Sequence, residues 1–394
     1  MPASLRPHLH AALCGLGQAL LQQPENRKLR ADLASERLSV QDYYAQLLCL
    51  VYRLLFLLIL EDRGILHADD TPAEARRRYA EAHSLRRLWP QPPAPPGLPA
   101  SSGYWRDALA TLRGLGTGLP ALGLPRLGGL FGLEHCRDLD ATTLDDRAFL
   151  QALSSLGCSA EAPLPWRGLS PEELGGAYES LMERAPLLQS SPDGLAFTLP
   201  EDSRSNARKK SGSYYTPDRL VQHLVDLALD PLIAETLAAA PADPAEALLS
   251  LRIVDPACGT GHFLLGAARR LAVAVARARG EPGAVQAAFV EVIRRCIYGV
   301  DLNPMAVELC RVALWLEAAV PGLPLDVSGA HLQLGNALLG ASAAQIAAGI
   351  PENAWEAAEG EDRSIARMLR ARHRAEAGAA WTGTADLRLL ADLW

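Results

Sequence analysis

The stretch Leu251-Arg-Ile-Val-Asp-Pro-Ala-Cys-Gly-Thr-Gly-His-Phe263 constrains the fold of this chain more than any other. A short apolar segment runs into Asp255, and a loop of small residues that contains Gly259 and Gly261 then leads into an apolar helix. In an open α/β sheet, ligands bind at the carboxyl ends of the strands, where glycine lets the backbone approach the ligand closely. The pattern therefore predicts a nucleotide-type cofactor site.

Predicted strands and helices alternate between residues 214 and 336. The predicted strands are Leu251–Val254, Ile297–Asp301 and His331–Leu334. The predicted helices are His262–Ala278, Val285–Cys296 and Met305–Ala319. They are preceded by a helix that Thr216 caps and Pro217 begins, and its expected apolar face consists of Leu220, Val221, Leu224, Val225 and Leu227. Alternation of this kind is typical of a parallel sheet with right-handed crossovers.

Acidic residues end two consecutive predicted strands, Asp255 and Asp301. At the end of the second strand of a doubly wound sheet, a carboxylate accepts hydrogen bonds from both ribose hydroxyls, and we expect that role for Asp301. A nicotinamide dinucleotide is disfavoured, because Leu264 occupies the third glycine position of the G-x-G-x-x-G pattern. The chain also lacks the G-x-x-x-x-G-K-[ST] pattern of triphosphate sites. A cofactor that carries a ribose and an amino acid, such as S-adenosylmethionine, suits this loop better.

Residues 1–200 are predicted to form a mainly helical amino-terminal domain. Its apolar run Leu47–Leu60 is interrupted by Arg53 and is shorter than the roughly 20 residues that a bilayer requires. We therefore expect a buried core helix there and no association with a membrane. Further along, Ser170, Pro171 and Glu173 form the pattern of a helix start with a capping box.

Two polar segments divide the chain. The proline-rich segment at residues 89–99 is predicted to be a stiff surface connector, an interpretation that we favour over a PxxP ligand. Residues 201–213 are predicted to be a basic linker. Its four cations either belong to a solvated loop or contact phosphate, and the sequence leaves both interpretations open. They are Arg204, Arg208, Lys209 and Lys210.

The composition indicates an ordinary, mildly acidic protein. The formal net charge of the 394 residues is -7, so there is no global basic signature of a nucleic-acid binder, although a local basic patch is compatible with an acidic total. The seven cysteines are scattered and form no Cys-x-x-Cys pair. The first residues show no secretory signal. We therefore expect reduced thiols and a cytoplasmic location.

Four motifs, in order along the chain, resemble the cofactor-binding motifs of N6-adenine DNA methyltransferases. They are Tyr214-Tyr-Thr-Pro217, Asp255-Pro-Ala-Cys-Gly-Thr-Gly-His-Phe263, Gly299-Val-Asp-Leu-Asn-Pro304 and Gly335-Asn-Ala-Leu338. They are most similar to the large enzymes of combined restriction–modification and BREX-type phage-defence systems. The upstream strings Leu54–Gly64 and Ala177–Leu181 also resemble the helical domain of that group, so the resemblance covers nearly the whole chain.

The resemblance implies an α/β fold with an incomplete Rossmann-like sheet of the S-adenosylmethionine-dependent methyltransferases, preceded by a mainly helical domain. Residues 214–340 would be the cofactor-binding part. Tyr215, Thr216 and Pro217 would line the methionine end of the cofactor. Its amino-acid and sugar portions would be surrounded by Asp255, Ala257, Gly259 and Gly261. The ribose hydroxyls would be held by Asp301 and the adenine would meet Asn336, a position at which family members often have aspartate.

The chain departs from the family in one respect that concerns catalysis. The family signature [DNS]-P-P-[YFW] does not occur in the sequence, and Asn303-Pro304-Met305 is its nearest string. The signature supplies acceptors for the adenine amino hydrogens and an aromatic ring that holds the flipped base. We therefore predict no catalytic residue in this chain.

The missing signature suggests how the protein is organised. In the family order the signature follows Gly335-Asn336, and residues 341–394 resemble the start of a helical insertion that is truncated here. We expect the S-adenosylmethionine-binding part of a DNA adenine-N6 methyltransferase that is inactive without a missing carboxy-terminal portion. Its expected partners are double-stranded DNA and a second polypeptide that carries the catalytic signature and a target-recognition domain.

Two other functions and two other roles were weighed. A small-molecule methyltransferase of the same fold is disfavoured by the large helical domain, and a non-catalytic remnant remains open. Packing is a better interpretation of Cys258 than nucleophilic attack, because the sequence offers it no positioned base. His262 is expected to lie in the first turn of a helix, and no metal site is predicted, because no other ligand-type residue lies nearby at metal spacing.

Overall fold

The computed structural model describes residues 5–88, 103–157, 166–182, 184–191, 194–200, 216–325, 327, 329–339, 364, 367–368 and 370–371. The chain divides into two compact units, Met1–Leu334 and Gly335–Trp394. The predicted proline-rich connector, the predicted basic linker and Tyr215 lie outside the described residues, as does most of the predicted insertion at 341–394.

The first half of the larger unit is mainly helical, as predicted. Its helices are α1 (Leu5–Gln22), α2 (Arg27–Ala34), α3 (Val40–Arg63), α4 (Ala73–Ala82), α5 (Tyr104–Thr117), α6 (Asp146–Gly157) and α7 (Pro171–Met182). Short 3₁₀ helices occur between them, at Arg86–Leu88, Pro120–Leu122, Gly129–Phe131 and Trp166–Gly168. The predicted capping box begins α7, since Ser170 Oγ accepts from the backbone N–H of Glu173 at 3.1 Å and Glu173 Oε2 accepts from that of Ser170 at 2.8 Å.

Helix α3 is the centre of the helical region. Ser39 caps its start by accepting a hydrogen bond from the backbone N–H of Asp42, and Gly64 ends it in the left-handed conformation. The helix is long and apolar enough to cross a membrane, but 89% of its most apolar 18-residue window is buried inside the protein. The prediction of a buried core helix is confirmed.

Arg53 is the one charged residue within the apolar run Leu47–Leu60, and it is buried. Its guanidinium donates to the backbone carbonyls of Leu130 at 2.7 Å and Gly132 at 2.5 Å, and it lies 3.5 Å from a carboxylate oxygen of Asp140. The positive charge of Arg53 therefore has a carboxylate partner and its N–H donors have acceptors, as a buried cation requires. Arg53 ties α3 to the loop that follows α5.

A two-stranded antiparallel hairpin interrupts the helices, and the sequence did not predict it. Strand β1 (Leu187–Ser191) pairs with β2 (Gly194–Thr198), with Leu187 opposite Thr198. The hairpin packs on α1 and α3: the ring of Phe197 meets that of Tyr43 edge-on, with centroids 5.5 Å apart. The helix α2 was also missed by the prediction.

The second half of the larger unit contains a three-stranded parallel sheet flanked by helices. The helices are α8 (Asp218–Ala239), α9 (Pro244–Leu249), α10 (His262–Ala278), α11 (Val285–Arg295) and α12 (Pro304–Ala318). The strands are β3 (Ile253–Asp255), β4 (Ile297–Asp301) and β5 (Leu332–Leu334), in the order β3-β4-β5. The predicted alternation of strands and helices is therefore present, and the described chain is a mixed helix and strand structure in which helices predominate.

Helix α12 lies between two hydrophobic cores. One face, which includes Leu309 and Trp315, packs into the core of the helical region. The opposite face, which includes Cys310 and Leu314, packs into the core around the sheet. A helix that is apolar all round is stable only when both faces are covered, so α12 joins the helical region and the sheet into one unit.

Two expectations for α8 are wrong. The helix begins at Asp218 with Pro217 as its N-cap residue, and no side chain caps it, so Thr216 lies before the helix and does not cap it. Proline has no side-chain acceptor, so no side chain accepts a hydrogen bond from the backbone N–H groups of the first turn. Of its apolar residues Val221, Val225 and Leu229 are buried, whereas Leu220, Leu224 and Leu227 are exposed.

Candidate functional site

The carboxyl ends of β3 and β4 bring the two predicted acidic residues to one edge of the sheet. Asp255 ends β3 and Asp301 ends β4, and the parallel register places Asp255 beside Gly299. Both carboxylates are partly exposed. Since ligands of open parallel sheets bind at this edge, the edge is the candidate site.

Two glycines shape the loop between β3 and α10, and they do so differently. Both have positive φ, 52° at Gly259 and 90° at Gly261, a region that disfavours residues with a side chain. A Cβ atom added at Gly261 would lie 2.6 Å from Sγ of Cys310, whereas at Gly259 it would meet no described atom within 4 Å. Gly261 is therefore needed for packing, and Gly259 leaves open space above the loop.

The backbone N–H groups of the loop mostly have partners within the protein. Ala257 N–H donates to Asp255 Oδ1 at 3.0 Å, Cys258 N–H to the carbonyl of Val300 at 2.9 Å, and Gly261 N–H to the carbonyl of Cys258 at 2.8 Å. A loop that cradles phosphate instead directs such donors at the ligand. This loop is braced by its own hydrogen bonds, which disfavours a phosphate site.

Asp301 joins the loops that follow the two strands. Its Oδ2 accepts from the backbone N–H of Gly259 at 2.8 Å, and its Oδ1 accepts from that of Asn303 at 2.8 Å. A carboxylate oxygen has two acceptor positions, so each oxygen retains capacity for one more donor. Asp301 is thus fixed in orientation and still able to accept two hydroxyl groups.

Asp255 is held in an environment that opposes its charge. Burial raises the pKa of Asp255, and the negative charge of Asp301 raises it further, against a hydrogen bond from the Ala257 N–H that lowers it. The ionised form of Asp255 is therefore less favourable than in water. A cationic group placed beside it would relieve that cost.

His262 and Cys258 have structural surroundings. His262 is the first residue of α10, as predicted. Burial lowers the pKa of His262, although the carboxylates of Glu172 and Asp218 oppose that shift. Cys258 is buried in the core around the sheet. Across the described ranges, no group of three or more His, Cys, Asp or Glu residues is arranged to hold a metal ion.

The remaining predicted site residues lie in other places. Thr216 is partly exposed and Pro217 is exposed, immediately before α8. Helix α8 packs against α10, the helix that follows the glycine loop, since a Cβ atom added at Gly266 would lie 2.7 Å from Cγ1 of Val221. Asn336 is exposed and belongs to the smaller unit, where its side-chain oxygen accepts from the backbone N–H of Leu338 at 3.0 Å. In the larger unit the structure thus brings together Asp255, Ala257, Gly259, Gly261 and Asp301.

An apolar groove runs between α8 and β3. It has a volume of about 370 Å³ and is lined by side chains that include Leu224, Val254 and Phe263. Strand β3 is an edge strand of the described sheet, and Val254 is 64% exposed. The N–H of Ile253 donates to the carbonyl of Cys296, toward β4. Because successive residues of a strand direct these groups to opposite sides, the backbone groups of Val254 point to the open edge.

Sequence reasoning missed a set of polar residues that support the loops. They are Tyr178 and Glu179 of α7, Thr260 of the glycine loop, and Asn303 before α12. Asn303 was noted only as part of a family motif and of the string nearest to the catalytic signature, and Ala177–Leu181 only as a string similar to the family. In the sequence, the one signal that could have pointed to them is a glutamate, Glu179, among the apolar residues of α7, and the structure shows that it is buried.

A family model and two curated proteins are similar to parts of this chain. Residues 172–323 match the family model described as N-6 DNA Methylase. The adenine-specific methyltransferase PglX of Streptomyces coelicolor is 32% identical over 150 residues, which are 36% of this chain and 11% of that protein. A putative type II restriction enzyme and methyltransferase of Methanocaldococcus jannaschii, RM.MjaORFECS2P, is 26% identical over 181 residues, 38% of this chain and 14% of that protein.

One solved structure is similar over most of the chain. It is the type IIL restriction–modification enzyme MmeI in complex with DNA, with 18% identity and a TM-score of 0.49, over 86% of this chain and 40% of that one. The segments of PglX and RM.MjaORFECS2P that this chain matches are a small part of those two curated relatives, 11% and 14% of their lengths.

Proposed function

Residues 172–323 of this chain belong to the N-6 DNA methylase family, and from that premise we propose that the protein binds S-adenosylmethionine for the methylation of adenine in DNA. The proposal includes the fold: strands β3, β4 and β5 are the first part of a Rossmann-like methyltransferase sheet. The observation that carries it is the linkage of two strand ends by Asp301, which holds its carboxylate in place for a ribose.

The geometry of Asp301 fits that cofactor. Both carboxylate oxygens are oriented by backbone N–H groups, and each keeps one acceptor position. A ribose presents two adjacent hydroxyl donors, which match two adjacent acceptors. The side chain is also only partly buried, so a ligand can reach it.

The glycine loop fits as well. The open space at Gly259 leaves room for the cofactor to lie directly on the backbone. The internal hydrogen bonds of Ala257, Cys258 and Gly261 leave few backbone donors free to bind a phosphate. This suits S-adenosylmethionine, which contains no phosphate group. The raised pKa of Asp255 indicates a carboxylate that gains from a cationic neighbour, and the cofactor carries both an ammonium group and a sulfonium centre.

The other proposed contacts rest on the family resemblance. Tyr215, Thr216 and Pro217 would line the methionine end, Ala257 the amino-acid and sugar portions, and Asn336 the adenine. Asparagine retains an acceptor oxygen for an adenine amino group and lacks only the charge of aspartate.

When bound, S-adenosylmethionine supplies an electrophilic methyl group. The residues of this chain would bind and orient it, but the sequence has no [DNS]-P-P-[YFW] signature to hold the acceptor adenine. We propose that a second polypeptide supplies that signature and the target-recognition domain, and that the chain alone transfers no methyl group to DNA. The exposed edge at Val254 and the groove beside it support this arrangement, because they offer a strand edge and apolar surface to a further segment.

We place the protein in the cytoplasm, with its DNA substrate. In the described part of the chain Cys14, Cys49, Cys136, Cys258, Cys296 and Cys310 are free thiols. A reducing compartment suits this state of the cysteines.

Thermal shift measurements with a panel of ligands test the cofactor. S-adenosylmethionine and S-adenosylhomocysteine should raise the melting temperature of the whole chain, while NAD and ATP should leave it unchanged, because only the first two are recognised by the site. A shift with ATP or NAD and none with S-adenosylmethionine would overturn the proposal.

The split arrangement has a separate test. The DNA that flanks this reading frame should encode a [DNS]-P-P-[YFW] signature, and the product should enable transfer of a labelled methyl group to DNA when it is mixed with this chain. If no frame encodes the signature, or if the chain methylates DNA by itself, the split arrangement is wrong. Cofactor binding would be judged independently by the ligand panel.

A further inference from the structure

Helix α7 of the helical region contacts both loops of the candidate site through adjacent residues. The hydroxyl of Thr260, in the glycine loop, donates to Glu179 Oε1 at 3.2 Å, and both side chains are only 4% exposed. The hydroxyl of Tyr178 donates to Asn303 Oδ1 at 3.1 Å, in the loop that follows β4. One helix thus holds two loops that belong to different strands.

These contacts form a closed circuit of hydrogen bonds. From Tyr178 the circuit passes to Asn303, whose backbone N–H donates to Asp301 Oδ1 at 2.8 Å. Asp301 Oδ2 accepts from the N–H of Gly259 at 2.8 Å, and the neighbouring Thr260 leads back to Glu179. A displacement of either loop would break a bond in the circuit, so the carboxylate of Asp301 and the backbone of Gly259 are positioned from α7.

The helix lies unusually close to the loop. A Cβ atom added at Gly175 would lie 2.5 Å from Oγ1 of Thr260 and 3.2 Å from Cε1 of His262. Oγ1 of Thr260 is also 3.3 Å from Nδ1 of His262. The hydroxyl of Thr260 therefore lies within hydrogen-bond distance of both Glu179 and His262. The contact thereby extends to the first residue of α10.

The helix that holds the loops is itself anchored. The hydroxyls of Tyr52 and Tyr44, both on α3, donate to the carbonyls of Leu174 and Leu181 at 2.9 Å each. The rings of Tyr52 and Tyr178 meet edge-on with centroids 6.0 Å apart. The core of the helical region therefore fixes α7, and through it the two loops.

We infer that Tyr178 and Glu179 are positioning residues of the cofactor site, which set the relative placement of the glycine loop and the Asp301 carboxylate without touching the cofactor. The inference rests on the proposed function for the identity of the ligand. It assigns the helical region a role in cofactor binding, in addition to its own packing.

Matched tyrosine variants of the whole chain test the inference. Tyr178→Phe removes the hydrogen bond to Asn303. The control, Tyr43→Phe, removes a hydrogen bond from another buried tyrosine to the carbonyl of Gly17 in α1, a bond that involves neither α7 nor the two loops. Both variants should lose similar stability, but only Tyr178→Phe should weaken S-adenosylmethionine binding in calorimetry, by about 5- to 10-fold. Equal affinities of the two variants would overturn the role of Tyr178.

Glu179 is tested by rescue. Glu179→Ala removes the acceptor for Thr260 and should weaken binding by about 10-fold or more, whereas Glu179→Gln keeps an acceptor oxygen and should remain within about 3-fold of the wild type. Thr260→Val removes the same bond from the other side and should match Glu179→Ala. Three variants of equal affinity would overturn the role of Glu179.

Hydrogen exchange of the loop separates failure of the inference from failure of the proposed function. Without any ligand, amides of residues 257–261 should exchange faster in Tyr178→Phe and Glu179→Ala than in Tyr43→Phe. If the wild type does not bind S-adenosylmethionine, the proposed function fails, and faster exchange still shows that α7 holds the loops. If exchange of the loop is the same in all variants, the inference is wrong whatever the ligand.

Discussion

The backbone N–H of Gly259 lies 2.8 Å from Oδ2 of Asp301, although the two residues are 42 positions apart in the chain. The contact joins the loop after β3 to the end of β4. A carboxylate that could simply face solvent is instead part of the loop structure, and each of its oxygens keeps one acceptor position. Asp301 is therefore expected to affect both ligand binding and the order of the loop.

Replacing Asp301 tests its role in binding. Asp301→Ala should cost about 2–4 kcal/mol of S-adenosylmethionine affinity, because hydrogen bonds of two hydroxyls to a charged acceptor are lost. Titration calorimetry measures the effect. The control is Asp226→Ala, which removes a carboxylate that pairs with Arg270, away from the loops, and should leave the affinity unchanged. If Asp301→Ala binds as tightly as the wild type, Asp301 does not belong to the site.

The two loop glycines should respond differently to alanine. Gly261→Ala meets both an unfavourable φ and Sγ of Cys310, and should destabilise the fold by about 2–5 kcal/mol. Gly259→Ala meets the φ penalty alone and should cost about 1–2 kcal/mol, yet it should weaken cofactor binding, because its methyl group fills the open space. Urea unfolding and calorimetry measure the two effects. Equal destabilisation by both variants would contradict this distinction.

Asp255 should make stability depend on pH in an unusual direction. Its folded-state pKa is raised, so its favourable contribution is present below the unfolded pKa and is lost as pH rises through the folded pKa. Asp255→Asn, which keeps an acceptor for the Ala257 N–H, should therefore be more stable than the wild type at neutral pH. The advantage, measured by urea unfolding between pH 4 and pH 8, should grow with pH. If the wild type instead becomes more stable relative to Asp255→Asn as pH rises, the predicted direction is wrong.

The buried cation of α3 gives a prediction about stability alone. Arg53→Met leaves the carbonyls of Leu130 and Gly132 and the carboxylate of Asp140 without their donor, and should destabilise the fold by about 3–5 kcal/mol. Lys28→Ala is the control, because the Lys28 side chain is exposed and its ion pair with Asp32 should contribute little to stability. Similar unfolding midpoints for the two variants would mean that the Arg53 contacts contribute little.

Strong local patterns predicted the elements of the site. Helix α10 has the bounds that the sequence predicted, strand β4 does too, and Ser170 and Glu173 form the expected capping box. Each of these depends on residues close in sequence: an apolar period, a terminal proline or a reciprocal cap. Local sequence patterns therefore predict the bounds of the helix and strand next to the site almost correctly.

Features that depend on tertiary contacts were not predicted. The hairpin of β1 and β2 has little alternation and is stabilised by packing of Phe197 on Tyr43. The exposure of Leu220 and Leu224 contradicts the amphipathic pattern of α8, because burial depends on which neighbours are present. The hydrogen bonds from Tyr178 to Asn303 and from Thr260 to Glu179 each join residues that are more than 80 positions apart. At such a separation the sequence pattern of one chain gives no signal of contact.

Calorimetric titration of the whole wild-type chain with S-adenosylmethionine tests the central claim most directly. We predict saturable binding of one molecule per chain, weakened by Asp301→Ala and unaffected by Asp226→Ala. The absence of heat and of any thermal shift with wild-type protein that is folded by circular dichroism would contradict the claim.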